Sequence, residues 1–444
     1  MKDLTTGNVS KVIFNFAIPM LLGNVFQQLY NIVDSIIIGN YLGKEALGAV
    51  GASFPLIFVL ISLVIGFASG ITIIISQYFG AKQMNNVKKA IDTMYIVLFF
   101  SSIAISIIGI TFSDEIFRLI KLPEEIIPQA KLYFNIYAGG IIFLFGFNGI
   151  SAVLRGLGDS KTPLYFMIFA TIINICLDLL FVVVLNWGIE GVAIATVIAQ
   201  AGAFIFAILY LNKYHSFIKI NFRKLDFDKY IFKKSIYIGL PSGMQQMFVA
   251  IGMMALYRIV NDFGTDVIAA YSVVGRIDMF AMLPAMNFAA ALSAFVGQNL
   301  GANKPERVKN GLIATLIMAS VISIATTVIA LLFGRELMGM FTKDTEVIKI
   351  GVSYLTIVSS FYIIFSSMFA VTSVFRGAGD TIVPMFITLL ALWFIRVPVS
   401  YFLSLEIGEI GIWWGIPIAW TFGLCCSISY YFTGRWKRKV IVKY

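Results

Sequence analysis

The chain has 444 residues, of which 59% are hydrophobic and 13% charged, with a formal net charge of +10. An ordinary soluble domain carries about 25% charged residues, so a water-facing fold is excluded and the bilayer is the remaining solvent. A disulfide or metal framework is excluded too: Cys176, Cys425 and Cys426 are the three cysteines, all in apolar segments, and they read as small buried hydrophobes.

The N-terminal MKDLTTGNVSKVIFNFAIPM lacks a small-residue cleavage site, and its apolar run continues for a full span. It reads as the start of a first helix rather than a removed signal. Charge-free stretches long enough for the ~20 residues of a crossing helix recur along the chain. They predict spans near 12–40, 47–79, 88–112, 129–155, 161–186 and 190–211, then near 233–262, 268–300, 307–333, 347–376, 382–405 and 409–433.

The loops on one side, including both termini, hold 23 of the 33 Lys and Arg; the opposite loops hold seven, and three arginines lie within spans. This asymmetry predicts that both termini are cytoplasmic. It also accounts for the basic balance without nucleic acid as a partner. The segment 212–234, which contains His215, the single histidine, reads as a cytoplasmic linker with a surface-lying portion.

Shifted by 221 residues, the sequence matches itself. LRGLGDSKTP (154–163) lies over FRGAGDTIVP (375–384), SQYFGAKQMNNVKK (76–89) lies over GQNLGANKPERVKN (297–310), and Tyr133 falls on Tyr354. Near the ends the shift drifts by one, so that Ile18-Pro19 matches Leu240-Pro241. Matched polar loops are not a product of generic helix similarity. Each copy has six spans, an even number, so the repeat is parallel. The predicted fold is therefore an all-α polytopic membrane protein of twelve transmembrane helices in two pseudo-symmetric lobes. The lobes are 1–211 and 233–444, joined by a cytoplasmic linker, 212–232.

Polar residues within spans need a reason, since each charge costs at least ~2.5–3.5 kcal/mol on insertion scales. On the first span Asn24, Gln27, Asn31 and Asp34 recur at spacings of three, four and three, one helical stripe. Asn174 and Asp178 form an i,i+4 pair on the fifth span; Thr196 lies on the sixth, and Asn148 and Ser151 on the fourth. Counted from the outer helix ends, Asp34, Asp178 and Thr196 share a depth of about 9–12 Å. Carboxylate, amide and hydroxyl oxygens at one level suit a hard cation or a proton. Sites of repeat-built transporters lie between the lobes.

The second lobe lacks this cluster, because Asp34, Asn174 and Asp178 land on Ala255, Ile395 and Val399. It holds Arg258, Arg276, Asp278 and Arg396 instead, and an ion pair of Asp278 with Arg396 or Arg258 is expected as a structural feature. Met253, Met279, Met282 and Met286, with Met244, Met247 and Met254, read either as a surface that repacks around apolar ligands or as ordinary core. No P-loop, GxSxG elbow or metal-ligand cluster is present, so an enzyme is not expected and energy must come from an ion gradient or a partner.

The segment FAIPMLLGNVFQQLYNIVDSIIIG, the LRGLGDSKTP and FRGAGDTIVP repeats and NICLD together resemble the multidrug and toxic compound extrusion (MATE) family over essentially the whole chain. The resemblance implies twelve helices in two lobes and export of organic cations or amphipathic compounds against Na⁺ or H⁺, without a further cofactor. The intramembrane pattern is similar to the branch named for DNA-damage-inducible F proteins. That likeness implies a cation site, with Na⁺ or H⁺ as the coupling ion, at Asp34, Asn174, Asp178 and Thr196. It adds Gln27, Tyr30 and Asn148 as neighbouring polar residues and Pro19 as a bending point of the first helix. Ser151 departs from the pattern, standing where related proteins can carry Asn. The expectation is a monomeric multi-pass exporter of the plasma membrane that works by alternating access. A flippase for lipid-linked oligosaccharides, of the same broad fold, is the alternative.

Overall fold

The computed structural model describes residues 2–119, 122–214, 218–219 and 224–442. His215 and residues 220–223 of the predicted linker lie outside the described residues. Among the described residues there is no strand, and ten helices are long and apolar enough to cross a membrane. They are α1 (Val9–Leu42), α2 (Glu45–Gly80), α3 (Met84–Thr111), α5 (Lys161–Val184), α6 (Ile189–Tyr214), α7 (Lys229–Asn261), α8 (Thr265–Gly301), α9 (Pro305–Leu332), α11 (Ile382–Ile407) and α12 (Glu409–Thr433).

Two further spans are bent pairs. In α4, Ile127–Gly139 and Ile141–Gly156 meet at 49°, and in α10, Thr345–Ser359 and Tyr362–Ala378 meet at 46°. With these the predicted twelve spans are all present. The two breaks fall at Gly140 and Phe361, which are 221 residues apart, so the bend itself repeats. Many outward positions remain apolar: Phe100, Ile107, Leu209, Leu332, Phe402 and Phe432 are exposed. Hydrocarbon, not water, is the medium that such a surface fits.

The repeated RGxGD motif has a local explanation. Gly158 and Gly379 end α4 and α10 with φ of +78° and +94°, a region where a side chain is strained. Asp159 then starts α5 by accepting from the backbone N–H of Lys161 and Thr162, both at 3.1 Å. In the second copy Asp380 instead accepts from the Tyr430 hydroxyl at 2.6 Å.

Packing divides the chain into two units. The first comprises Met1–Lys2, Pro19–Phe79 and Gln83–Gly243, and the second Asp3–Ile18, Gly80–Lys82 and Met244–Tyr444. These bounds differ from the lobe limits read along the sequence, because α1 and α7 each change unit within their own length. The changes fall next to the repeated prolines, Pro19 and Pro241, which both lie inside continuous helix. A proline removes one backbone donor and weakens the helix there. The first half of α7 belongs to the first unit because it packs backbone to backbone on α2. A Cβ added at Gly66 would lie 2.6 Å from Gly243 N and 2.7 Å from Gly239 O.

Each unit has its own apolar core. Ile37, Ile57, Phe117, Tyr133, Phe134 and Val192 build the first, and Tyr271, Tyr354, Leu355, Tyr362, Trp413 and Trp420 contribute to the second. Of the cysteines, Cys176 and Cys425 are exposed and Cys426 is half-buried, a correction to the expected burial. Lipid tails are as apolar as a protein core, so a small thiol fits either place.

Candidate functional site

The acids of the first unit stand where regular helix gives way. Asp178 is the last α-helical residue before a π-helical stretch, Leu179–Val184, and Asp34 precedes a second one, Ile38–Leu42. The two π stretches touch each other and both touch α6. A π turn redirects side chains that a straight helix would spread around its axis, and such turns concentrate at functional sites. Here they gather α1, α5 and α6 around one buried point.

α6 is drawn in at the break of α4. A Cβ at Gly140 would lie 2.4 Å from the Val197 side chain, so the absence of one lets the turn beside Thr196 close on α4. Thr196 is buried and accepts a hydrogen bond of 3.1 Å from the Tyr30 hydroxyl.

Asp34, Asn174 and Asp178 are buried, the last two completely. The Asp34 and Asp178 carboxyl groups interact side chain to side chain, and Asn174 lies beside Asp178. Asp34 Oδ1, both Asp178 oxygens and both amide atoms of Asn174 have no hydrogen-bond partner. Neither acid forms an ion pair among the described residues. Leaving a buried polar group unsatisfied is costly, and five such atoms lie together here. No three His, Cys, Asp or Glu side chains converge among the described residues. The polar atoms gathered there are carboxylate and amide groups, whose oxygens are hard donors.

Tyr133 and Tyr137 line the same point, in electrostatic range of Asp34, and stack on each other at 6.4 Å between ring centres. Sequence reading placed Tyr133 only as a repeat landmark and did not single out Tyr137. Their spacing of four on one helix was the available signal.

Other expected residues are dispersed. Gln27 and Asn31 are exposed, and Asn31 donates to Gln28 at 3.3 Å. Asn148 donates to the Leu144 carbonyl of its own helix at 2.9 Å. Ser151 is buried with its hydroxyl unpartnered. In the second unit Met253, Met279 and Met286 are exposed, whereas Met282 packs against the core.

The ion pair expected of Asp278 is not formed. Asp278 accepts from Tyr354 at 2.5 Å and from Tyr362, which fills its two oxygens. Arg396 is buried within electrostatic range but beyond ion-pair distance, with its Nε unpartnered, and Arg258 is exposed. Tyrosine hydroxyls reach the acid first because α10 presents both of them in the core.

The MatE family model matches this chain twice, over residues 19–180 and 241–402. A Bacillus subtilis protein named "Probable multidrug resistance protein YpnP" is 35% identical over 438 residues, covering 98% of this chain and 97% of that protein. A second from the same organism, "Probable multidrug resistance protein YoeA", is 32% identical, covering 96% of this chain and 94% of its own length. Among solved structures, an outward-facing multidrug resistance MATE transporter superposes with a TM-score of 0.93 at 24% identity, covering 99% of both chains.

Proposed function

The chain belongs to the MATE family of membrane transporters, and we propose that it exports cationic or amphipathic small molecules in exchange for Na⁺ or H⁺. The observation that carries this reading is the set of five buried, unpartnered polar atoms on Asp34, Asn174 and Asp178. Two carboxylates held together away from water repel each other strongly, and a proton or a metal cation between them relieves the repulsion. Asn174 and Thr196 supply neutral oxygens, and the Tyr30 hydroxyl orients Thr196.

Cation binding draws α1 towards α5 and α6. Pro19, where α1 passes from one packing unit to the other, is the place where α1 yields. Substrate affinity then falls, and linkage requires that substrate weaken cation binding by the same factor. Alternating access follows as exchange of the two ligands. The excess of basic residues on one side supports cytoplasmic termini in the plasma membrane.

Purified protein in proteoliposomes, with Na⁺ and H⁺ gradients imposed separately, tests the reading. Uphill movement of a fluorescent organic cation under one gradient supports it; absence of coupling to either overturns it. A cysteine placed at Lys437 in a background without Cys176, Cys425 and Cys426 tests the orientation. Labelling of that cysteine from outside intact cells by an impermeant reagent contradicts it.

A further inference from the structure

We propose that a groove on the first unit, between α3 and the start of α7, binds one anionic phospholipid from the leaflet on the basic side of the membrane. Ile96, Val97, Phe100 and Ser101 line it from α3, and Phe227, Phe232 and Ile236 line it from the opposite wall. Its volume of about 480 Å³ falls within the roughly 300–1,000 Å³ of ligand-sized clefts. Among these seven side chains only Ser101 is polar, so the body of the occupant is hydrocarbon.

The lining residues of α3, Ile96 to Ser101, rise about 8 Å at 1.5 Å per residue. Lys89 stands about 10 Å before Ile96 on the same helix, so the groove falls within the leaflet next to the basic loops, where acyl chains lie.

The mouth of the groove is basic. On α7, Lys229, Phe232, Lys233 and Ile236 follow one another at helical spacing, which puts two lysines on the face that lines the groove. Both lysines are exposed, and neither forms an ion pair among the described residues. Of the two neighbouring acids, Asp226 lies exposed ahead of α7, and Asp228 is committed elsewhere. Asp228 caps α7 by accepting from Tyr230 N at 2.9 Å and Ile231 N at 3.0 Å, and it pairs with Lys89 at 3.6 Å. Its own backbone N–H donates to Thr93 Oγ1 at 3.0 Å, which fixes the crossing of the chain over α3. Two ammonium groups without an ion pair among the described residues therefore stand above a hydrocarbon slot, and with Asp226 beside them the local balance stays positive. A phosphate headgroup without a compensating amine complements that; a zwitterionic one does so less well. The inference needs only that the chain spans a bilayer and stands apart from any coupling ion.

Native mass spectrometry of the full-length protein tests it, after equilibration with equal phosphatidylglycerol and phosphatidylcholine. The wild type is expected to retain one phosphatidylglycerol in preference. Each lysine is worth roughly fivefold towards an anionic surface, so Lys229→Gln with Lys233→Gln lowers that preference about 25-fold. Val97→Trp fills the slot and removes retained lipid of both headgroups. Lys437→Gln with Lys439→Gln, basic residues outside the groove lining, leaves the preference unchanged. Equal retention of both lipids by the wild type overturns the proposal, as does an unchanged preference in the Lys229/Lys233 pair. An equal loss in the Lys437/Lys439 pair assigns the effect to diffuse charge and also overturns it.

Discussion

Tyr133 and Tyr354 hold the same place in the two repeats, 221 residues apart, and each stands near a buried acid of its own unit. Tyr354 donates to Asp278 at 2.5 Å, which leaves that acid satisfied. Tyr133 stands in electrostatic range of Asp34 and Asp178, whose oxygens include three without partners. The same tyrosine position thus serves a closed polar cluster in one unit and an open one in the other.

Tyr30→Phe removes the hydroxyl that donates to Thr196 at 3.1 Å. One hydrogen bond is worth about 1 kcal/mol, so the cation concentration for half-maximal exchange rises roughly fivefold. Folding is unaffected, since Tyr30 is only partly buried. Exchange rates in proteoliposomes against cation concentration measure this; an unchanged midpoint removes Tyr30 from the site.

Asp278→Asn acts on the closed cluster and so on stability. It leaves the buried hydroxyl of Tyr354 or Tyr362 facing an amide N–H in place of a carboxylate oxygen, a loss of about 1–3 kcal/mol. Thermal unfolding in detergent is expected several degrees lower, while ion dependence of transport is retained. A variant of wild-type stability that has lost ion dependence places Asp278 in the coupling machinery instead.

Gly66→Val places methyl groups where α7 backbone already stands, a Cβ at Gly66 being 2.6 Å from Gly243 N. Overpacking of this kind costs about 1–3 kcal/mol or more. Yield of monodisperse protein in size-exclusion chromatography falls sharply, whereas Gly51→Val, at a position with nothing within 4 Å, leaves it unaltered.

Arg307→Gln releases the N-terminal segment of the second unit. Arg307 donates to Asn299 at 3.0 Å and to the carbonyls of Gly7 and Thr6 at 3.1 and 3.3 Å. Lys304 holds the Thr5 carbonyl at 2.9 Å, and the Leu4 N–H donates to Gln298 at 2.9 Å. Hydrogen exchange at Leu4 is expected to quicken about tenfold or more in the variant; unchanged exchange shows that Lys304 and Gln298 suffice.

The repeat and the twelve spans were legible because hydropathy and matched loops survive in the primary sequence. The nearness of Asp34 and Asp178 was legible because an acid inside a membrane span is costly enough to stand out alone. Tyr137 was not, since a tyrosine in an apolar helix has an ordinary place in a core. Nor was the Asp278 arrangement: a carboxylate and an arginine in adjacent spans suggest a pair, and only the fold shows two hydroxyls closer. The exchange of helix halves at Pro19 and Gly243 lay beyond sequence reading, because a continuous helix carries no mark of which neighbours it packs on.

Substrate affinity as a function of cation concentration is the most direct test of the central claim. It is measured by equilibrium binding of a fluorescent substrate to purified wild type, Asp34→Asn and Asp178→Asn, with Na⁺ and pH varied separately. The account predicts that wild-type affinity falls as Na⁺ rises or as pH falls. It predicts that this dependence vanishes in both variants while substrate still binds to folded protein. Retention of the full dependence in either variant contradicts the assignment of that carboxylate to the coupling site.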